Sequence, residues 1–410
     1  DSEKFIVTKG AYDIVMDLCN EDKNVREKFD KEMENFAKKG FRILAIAIKK
    51  EKWKFAGIVA LRDPPREDSK DLIKALRNLG IRVKMLTGDK LEIAREIGNE
   101  LDLGENIVSM EDIKKIKDKD AIEASRIIAQ ADGFAESYPE DKYIIVKSLQ
   151  SSGHVVGMTG DGVNDAPALK QADVGIAVSN ATDVAKGAAA VVLTQPGLKN
   201  IVDLVKTGRE VFERIYTWIL SKISRLLQDV IFVTLALIIT GYLVMNPLGM
   251  ILLLFMFDFV TISLSLDKER IKNSPATWDI NHLVKIGSVI GIAMVMESFL
   301  MLYFVFNYFH LSPSQLPTFG FVYILFTNLF NVLNVRERKN FWESRPNKYM
   351  VILIIIDIVV ASIFGIIGLP TLPPIPPYLI IISLLYTAFL YLFVNNFVKI
   401  GAQKMLGFSY

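Results

Sequence analysis

Charge is divided unevenly along this chain of 410 residues, and that division limits what it can fold into. Of its 48 Lys and Arg and 46 Asp and Glu, only 22 lie beyond Arg214, about one position in nine there against about one in three before it. Within the charge-poor part, six apolar runs are long enough to cross about 30 Å of hydrocarbon as helices. They cover approximately Ile219 to Leu243, Leu248 to Leu266, Ile286 to Phe309, Phe319 to Val335, Tyr349 to Leu369 and Tyr378 to Val398. The connecting segments alternate in charge. Lys268, Arg270, Lys272, Lys285, Arg336, Arg338, Lys339, Arg345, Lys348, Lys399 and Lys404 fall on one side, and the alternate loops carry no Lys or Arg. Because cytoplasmic loops retain basic residues, both ends of this half are expected in the cytoplasm. A formal net charge of +2 gives no basic surface for a nucleic-acid partner. The one cysteine, Cys19, and three scattered histidines exclude an internal disulfide and a Cys/His zinc cluster.

Polar residues inside the apolar runs narrow the function further. Asp229, Asp258, Glu297 and Asp357 lie within them, and a charge at bilayer depth costs roughly 2.5–3.5 kcal/mol on insertion scales. Such residues are expected to face the bundle interior or a wet cavity, and Asp258, near mid-span, is the expected ion or proton carrier. Gln228, Arg225 and Lys222 add polar groups to the first run, and Asn328, Asn331 and Asn334 recur every third residue on one helix face of the fourth.

In the charged half, strand-like and helix-like patterns alternate from Gly57 onward, which predicts a parallel α/β sheet with crossover helices. Arg82 to Leu86 runs into Thr87, Gly88 and Asp89; Val155 to Met158 runs into TGDGVNDAPALKQAD; Val174 to Val178 is a third strand-like run. Ligands of open α/β sheets bind beyond the carboxyl ends of the strands, where both TGD turns fall. Asp161 and Asp165 are hard oxygen ligands on a glycine-containing turn, as Mg²⁺ requires. The Thr87 hydroxyl and neighbouring backbone N–H groups can cradle phosphate oxygens, and Lys142 can neutralise charge on a transferring phosphoryl group.

The 21-residue run MTGDGVNDAPALKQADVGIAV, Met158 to Val178, resembles the hinge motif of P-type ion-pumping ATPases, members of the haloacid dehalogenase superfamily. Lys9-Gly10-Ala11 resembles that family's nucleotide-domain KGA motif, and FRILAIA with Arg42 its second nucleotide contact. LRDPPRED, with Asp63 and Arg66, is similar to the segment that rejoins the phosphorylation domain. FAESYPEDK, with Lys142, resembles the family's FARVxPExK stretch, with Glu136 and Ser137 where Arg and Val are usual. The resemblance implies a haloacid-dehalogenase-like (Rossmann-like) α/β domain plus a six-helix transmembrane bundle. Residues 1–55 would be the end of a nucleotide-binding domain, 56–206 a phosphorylation domain and 207–410 the membrane domain. It further implies that ATP and Mg²⁺ serve formation and hydrolysis of an aspartyl phosphate. Asp161 and Asp165 would hold the metal, Thr87, Gly88, Asp89, Lys142 and Asn164 would be catalytic, and Lys9, Gly10, Arg42, Asp63 and Arg66 would contact nucleotide. The family's DKTGT and TGES motifs do not occur in this sequence, so the chain is expected to be the carboxyl-terminal half of a pump, inactive without its amino-terminal half.

Six spans after the hinge motif exclude, by resemblance, the heavy-metal pumps. The stretch FDFVTISLSLDKERIKNSP from Phe257 resembles the sixth helix and following loop of plasma-membrane proton pumps, with Asp258 as the carrier. Phe257 stands where Asn is usual, and Gln228 where an Arg counter-ion is expected, with Asp229 beside it and Arg225 one turn earlier as a substitute. The partners so implied are ATP, a transported cation with the proton favoured, and the lipid bilayer of the plasma membrane. The alternatives are a calcium or other cation pump, and a catalytically incomplete regulatory subunit.

Overall fold

The computed structural model describes residues 5–19, 23–38, 41–62, 64–195, 197, 199–267, 274–275 and 279–406. The chain divides at Val205 and Lys206 into two compact units.

The amino-terminal unit holds three small sheets. β1 (Ile6–Gly10), β2 (Arg42–Lys49) and β3 (Trp53–Leu61) form an antiparallel meander, bulged between Ile46 and Ala47. Tyr12, Val15 and Met16 of the helix Tyr12–Cys19 bury themselves with Ala45 and Ala47. The alternation predicted after Gly57 appears as two parallel sheets. One contains β4 (Met85–Leu86), β5 (Ile107–Ser109) and β6 (Gly133–Ala135) in the order β4-β6-β5. The other contains β7 (Gly157–Gly160), β8 (Val174–Ala177) and β9 (Val191–Val192) in chain order. Crossover helices cover them, with Ile113, Ile128, Ile145 and Leu149 closing over Phe134.

Two strands differ from their sequence patterns. Only the last two residues of Arg82–Leu86 pair in a sheet, because Lys84 turns its Nζ to the carbonyls of Ile128 and Ala129, at 3.2 and 2.9 Å, and of Ala131. There it meets the negative end of the helix Ala121–Gln130. β7 lies two residues later than the Val155 run, which brings Thr159 and Gly160 into the strand.

Six helices among the described residues are long and apolar enough to cross a membrane: Lys199–Thr240, Pro247–Leu266, Ile280–Asn307, Pro313–Val335, Lys348–Ile367 and Pro377–Met405, here spans one to six; apart from Lys199–Val205 at the start of span one they belong to the second unit. Span four is the axis, since 83% of its apolar window is buried against 28% in spans one, five and six. Gly320 permits that packing, because a Cβ there would collide with the Val244 carbonyl. Span one begins twenty residues before the apolar run and, at 42 residues, is about 63 Å long at 1.5 Å per residue. Span six also outlasts its apolar run, ending at Met405, and Lys399, expected in a loop, is fully buried inside it. Its ammonium is satisfied there by the carbonyls of Asn334 and Glu337, each at 2.7 Å.

Candidate phosphoryl-transfer site

The residues expected to act on phosphate come together at the carboxyl ends of β4 and β7. After β4 the chain turns sharply: the Thr87 hydroxyl donates to Asp89 Oδ2 at 2.8 Å and accepts from the Asp89 N–H at 3.1 Å. Gly88 and Asn164 line a common cleft of about 350 Å³ with Glu111, Glu136, Ser137, Tyr138 and Pro139. Lys142 stands on the helix Pro139–Ser151, which opens with proline at its first position and with Asp141 accepting from the Tyr138 N–H at 3.0 Å.

Asp165 is the brace of this loop. Its Oδ1 takes the Lys142 ammonium at 2.7 Å, while Oδ2 accepts from the N–H groups of Asp161 and Gly162, each at 3.2 Å. Burial alone would raise this carboxyl's pKa, but the Lys142 hydrogen bond and charge, with the two backbone donors, hold it below the ordinary value. Gly160 makes the arrangement possible: a Cβ at that position would stand 2.5 Å from the Asp165 Cβ.

Asp161 differs from Asp165 in being exposed at the strand end. Its carbonyl accepts from the Thr182 N–H at 2.8 Å, which fixes the backbone and leaves the carboxylate open. Among the described residues no three His, Cys, Asp or Glu side chains gather into a metal cage. Mg²⁺ does not need one, since it takes one or two carboxylates, keeps several waters and leans on substrate phosphate. The open carboxylate of Asp161, with Asp165 behind it, fits that requirement. A bound Mg²⁺ would neutralise charge on phosphoryl oxygens.

Residue type alone does not place Glu111 and Glu136 in the cleft wall, nor Ser109 behind Glu136. The Ser109 hydroxyl donates to Glu136 Oε2 at 2.6 Å, and Glu136 has φ +54°, a conformation uncommon outside glycine and a recognised mark of functional sites. The one signal in the sequence was the departure FAESY.

The nucleotide candidates are placed separately. Lys9 is exposed on β1, which Gly10 ends; their cross-strand partners in β2 are Ile46 and Ala45. Arg42 opens β2, its side chain lying outside what is described, and Asp63 lies outside the described residues. Arg66 is exposed ahead of the helix Ser69–Asn78.

In the second unit the polar residues of span one separate into two groups. Gln228 is fully buried, its Nε2 donating to Ser298 at 2.8 Å and Tyr391 at 3.0 Å and its Oε1 accepting from the Thr327 hydroxyl at 3.3 Å. Arg225 instead lies toward span two, its guanidinium 4.6 Å from the Phe257 ring centroid, its Nε 3.9 Å from Asp229 Oδ2, and its charge also reaching Asp258. Phe257 is buried; Asp258, expected to face the interior, is exposed on the surface of this bundle. Of the three asparagines, Asn331 donates to Ser224 Oγ at 2.9 Å.

Comparison with known proteins agrees with both halves. Residues 6–173 match the haloacid dehalogenase-like hydrolase family, and residues 242–401 match the carboxyl-terminal domain of cation-transporting ATPases. A Methanocaldococcus jannaschii protein bearing the name cation-transporting ATPase is 38% identical over 348 residues, covering 84% of this chain and 43% of the relative. Plasma membrane ATPase 2 of Saccharomyces cerevisiae is 35% identical over 364 residues, covering 85% and 38%. The plasma membrane ATPase of Kluyveromyces lactis is 34% identical over 374 residues, covering 88% and 41%. The chain thus joins a haloacid-dehalogenase-like α/β domain to a cation-ATPase membrane domain, and it belongs to the P-type cation-transporting ATPases. It spans about two-fifths of the length of the curated relatives it matches.

Proposed function

We propose that this chain is the carboxyl-terminal part of an ATP-driven cation pump that works through an aspartyl phosphate and exports protons across the plasma membrane. The observation that carries the reading is the convergence of Thr87, Gly88, Asp161, Asn164 and the Lys142–Asp165 pair at two neighbouring strand ends. They stand in one chain with six helices able to cross a membrane. Covalent phosphorylation divides one hard transfer into two easier ones. Here Lys142 places positive charge beside the loop, Asp165 holds the loop rigid, and Asp161 is the carboxylate open to Mg²⁺. ATP would be held by Lys9, Gly10, Arg42, Asp63 and Arg66. The acceptor aspartate would come from an amino-terminal half outside this sequence. Residues 1–55, 56–206 and 207–410 are the proposed nucleotide, phosphorylation and membrane parts, with both ends of the membrane part cytoplasmic.

The proton is favoured over a metal ion by Arg225. A permanent positive charge beside Asp229 and Asp258 opposes binding of a divalent cation but leaves a carboxylate free to take up and release a proton. The test is ATP-driven acidification of sealed inverted vesicles containing the chain joined to its amino-terminal half. A gradient that a protonophore collapses and that Asp258→Asn removes supports the reading. Hydrolysis stimulated by a particular metal ion, with no gradient, would replace the proton with that ion. Asp161→Asn is expected to abolish phosphoenzyme formation, and an unchanged phosphoenzyme would sink that assignment.

A further inference from the structure

Span six is not a continuous α-helix. It is α-helical over Pro377–Phe389, π-helical over Leu390–Val394 and α-helical again over Asn395–Met405. Single π turns inside α-helices occur frequently at functional sites. On this one Tyr391 is fully buried with its hydroxyl on Gln228, and one turn later Asn395 Nδ2 donates to Glu297 Oε2 at 2.9 Å. Tyr386, before the break, donates to the Glu297 main-chain carbonyl at 2.8 Å. We propose that Glu297, paired with Asn395 at this break, is a proton-binding site within the bundle, separate from Asp258.

The surroundings of Glu297 suit a proton and no larger cation. The titratable side chains facing it are Tyr323, Tyr386 and Tyr391. Among the described residues no Lys, Arg or His pairs with it; Arg225 and Asp229 of span one pair with each other, and Lys399 of span six donates to carbonyls. No second carboxylate joins it to make a metal cage among the described residues. An ionised carboxyl so placed has one side-chain donor and no counter-ion, an expensive arrangement in a bilayer. The protonated form needs an acceptor, and the structure holds one ready: Asn395 is fully buried and its Oδ1 has no partner. With the amide as it stands, its N–H serves the carboxylate. Turned by half a rotation, its carbonyl oxygen accepts from the carboxylic acid. The pair therefore satisfies both protonation states without moving the backbone.

The same helix supplies a polar approach. Tyr391, Asn395, Lys399 and Gln403 recur every fourth residue, which puts them on one face, and each is at most 2% exposed. This file leads from Glu297 to the end of span six at Met405, so protons are expected to reach the site from that side.

Infrared spectroscopy of the full-length protein in lipid vesicles, without ATP, tests the inference. A carbonyl band of a protonated carboxylic acid should appear as the pH is lowered and vanish as it is raised. Glu297→Gln should remove it, Asn395→Leu should shift its frequency, and Asp258→Asn should leave it in place. If Glu297→Gln fails to insert in the membrane, Glu297→Asp is read in its stead and should keep a shifted band. A band indifferent to Glu297 overturns the site, and one that disappears with Asp258→Asn overturns its independence. Because no turnover is required, failure here leaves the transport reading standing, and failure of acidification leaves the band.

Discussion

Lys142 and Asp165, 23 residues apart in the chain, meet at 2.7 Å with only 20% and 8% of their side chains exposed. The pair joins the helix that follows β6 to the loop that follows β7. Removing one partner of such a pair leaves an uncompensated charge, whereas removing both does not.

Lys142→Met is therefore expected to lower the stability of the amino-terminal unit by about 2–3 kcal/mol, the low end for a buried pair because Lys142 keeps some contact with water. The double variant Lys142→Met/Asp165→Asn should recover most of that loss while phosphoenzyme formation stays abolished. Thermal unfolding and phosphate incorporation in the full-length protein separate the two effects. Equal destabilisation by the single and double variants would show that the pair does not brace the loop.

Gly160 and Gly162 flank Asp161 but stand in different surroundings. A Cβ on Gly160 would lie 2.5 Å from the Asp165 Cβ, while one on Gly162 would meet nothing nearer than 3.8 Å. Gly160→Ala is expected to displace Asp165 and reduce phosphoenzyme formation at least tenfold, equivalent to about 1.4 kcal/mol. Gly162→Ala should be nearly silent. The comparison is made by single-turnover phosphorylation, and equal effects at the two positions would refute the steric argument.

The sequence revealed this site because its parts are local: the turn from Met158 to Val178 carries its own strand, glycines and carboxylates. Glu136 was not legible as a wall of the cleft, since its positive φ and its hydrogen bond from Ser109, 27 residues earlier, depend on how β5 and β6 pair. In the second unit hydropathy located all six spans, yet it missed the start of span one, where Lys199 to Trp218 is helical but too charged to register as apolar. Lys399 reads as a loop residue from residue type alone, because the two carbonyls that satisfy it come from the end of span four and the turn beyond it. In span two Phe257 is buried with its ring 4.6 Å from the Arg225 guanidinium while its neighbour Asp258 is exposed, a contact that nothing in residue type announces.

Lys84 gives a pH dependence of definite sign. Burial, with the nearby Arg82 charge, lowers its pKa from 10.5 to about 8, against a smaller opposing effect of Asp132. Between those values the unfolded chain binds more protons than the folded one, so stability rises with pH across that window and is flat with respect to this group below it. Lys84→Met should remove the rise and also lose the donors that cap the helix Ala121–Gln130. The wild-type-minus-variant difference in unfolding midpoint is expected to be larger near pH 10 than near pH 8. A wild-type-minus-variant difference that falls as pH rises would contradict the lowered pKa.

Arg225 separates the proton reading from its rivals most directly. The residue is 5% exposed, its guanidinium lies over the Phe257 ring and its Nε is 3.9 Å from Asp229 Oδ2, so its charge is fixed in place rather than freely solvated. If that charge keeps metal ions from Asp258, Arg225→Gln should weaken coupling, with ATP hydrolysis continuing while the pH gradient falls. Arg225→Lys should restore the charge but not the guanidinium contact with the Phe257 ring, and is expected to recover part of the gradient. Vesicle acidification and hydrolysis are measured together for both variants and for Phe257→Leu, which keeps the charge and removes only the ring. A gradient undiminished by Arg225→Gln would mean that the positive charge has no part in ion selection, and the argument for the proton would lose its physical basis.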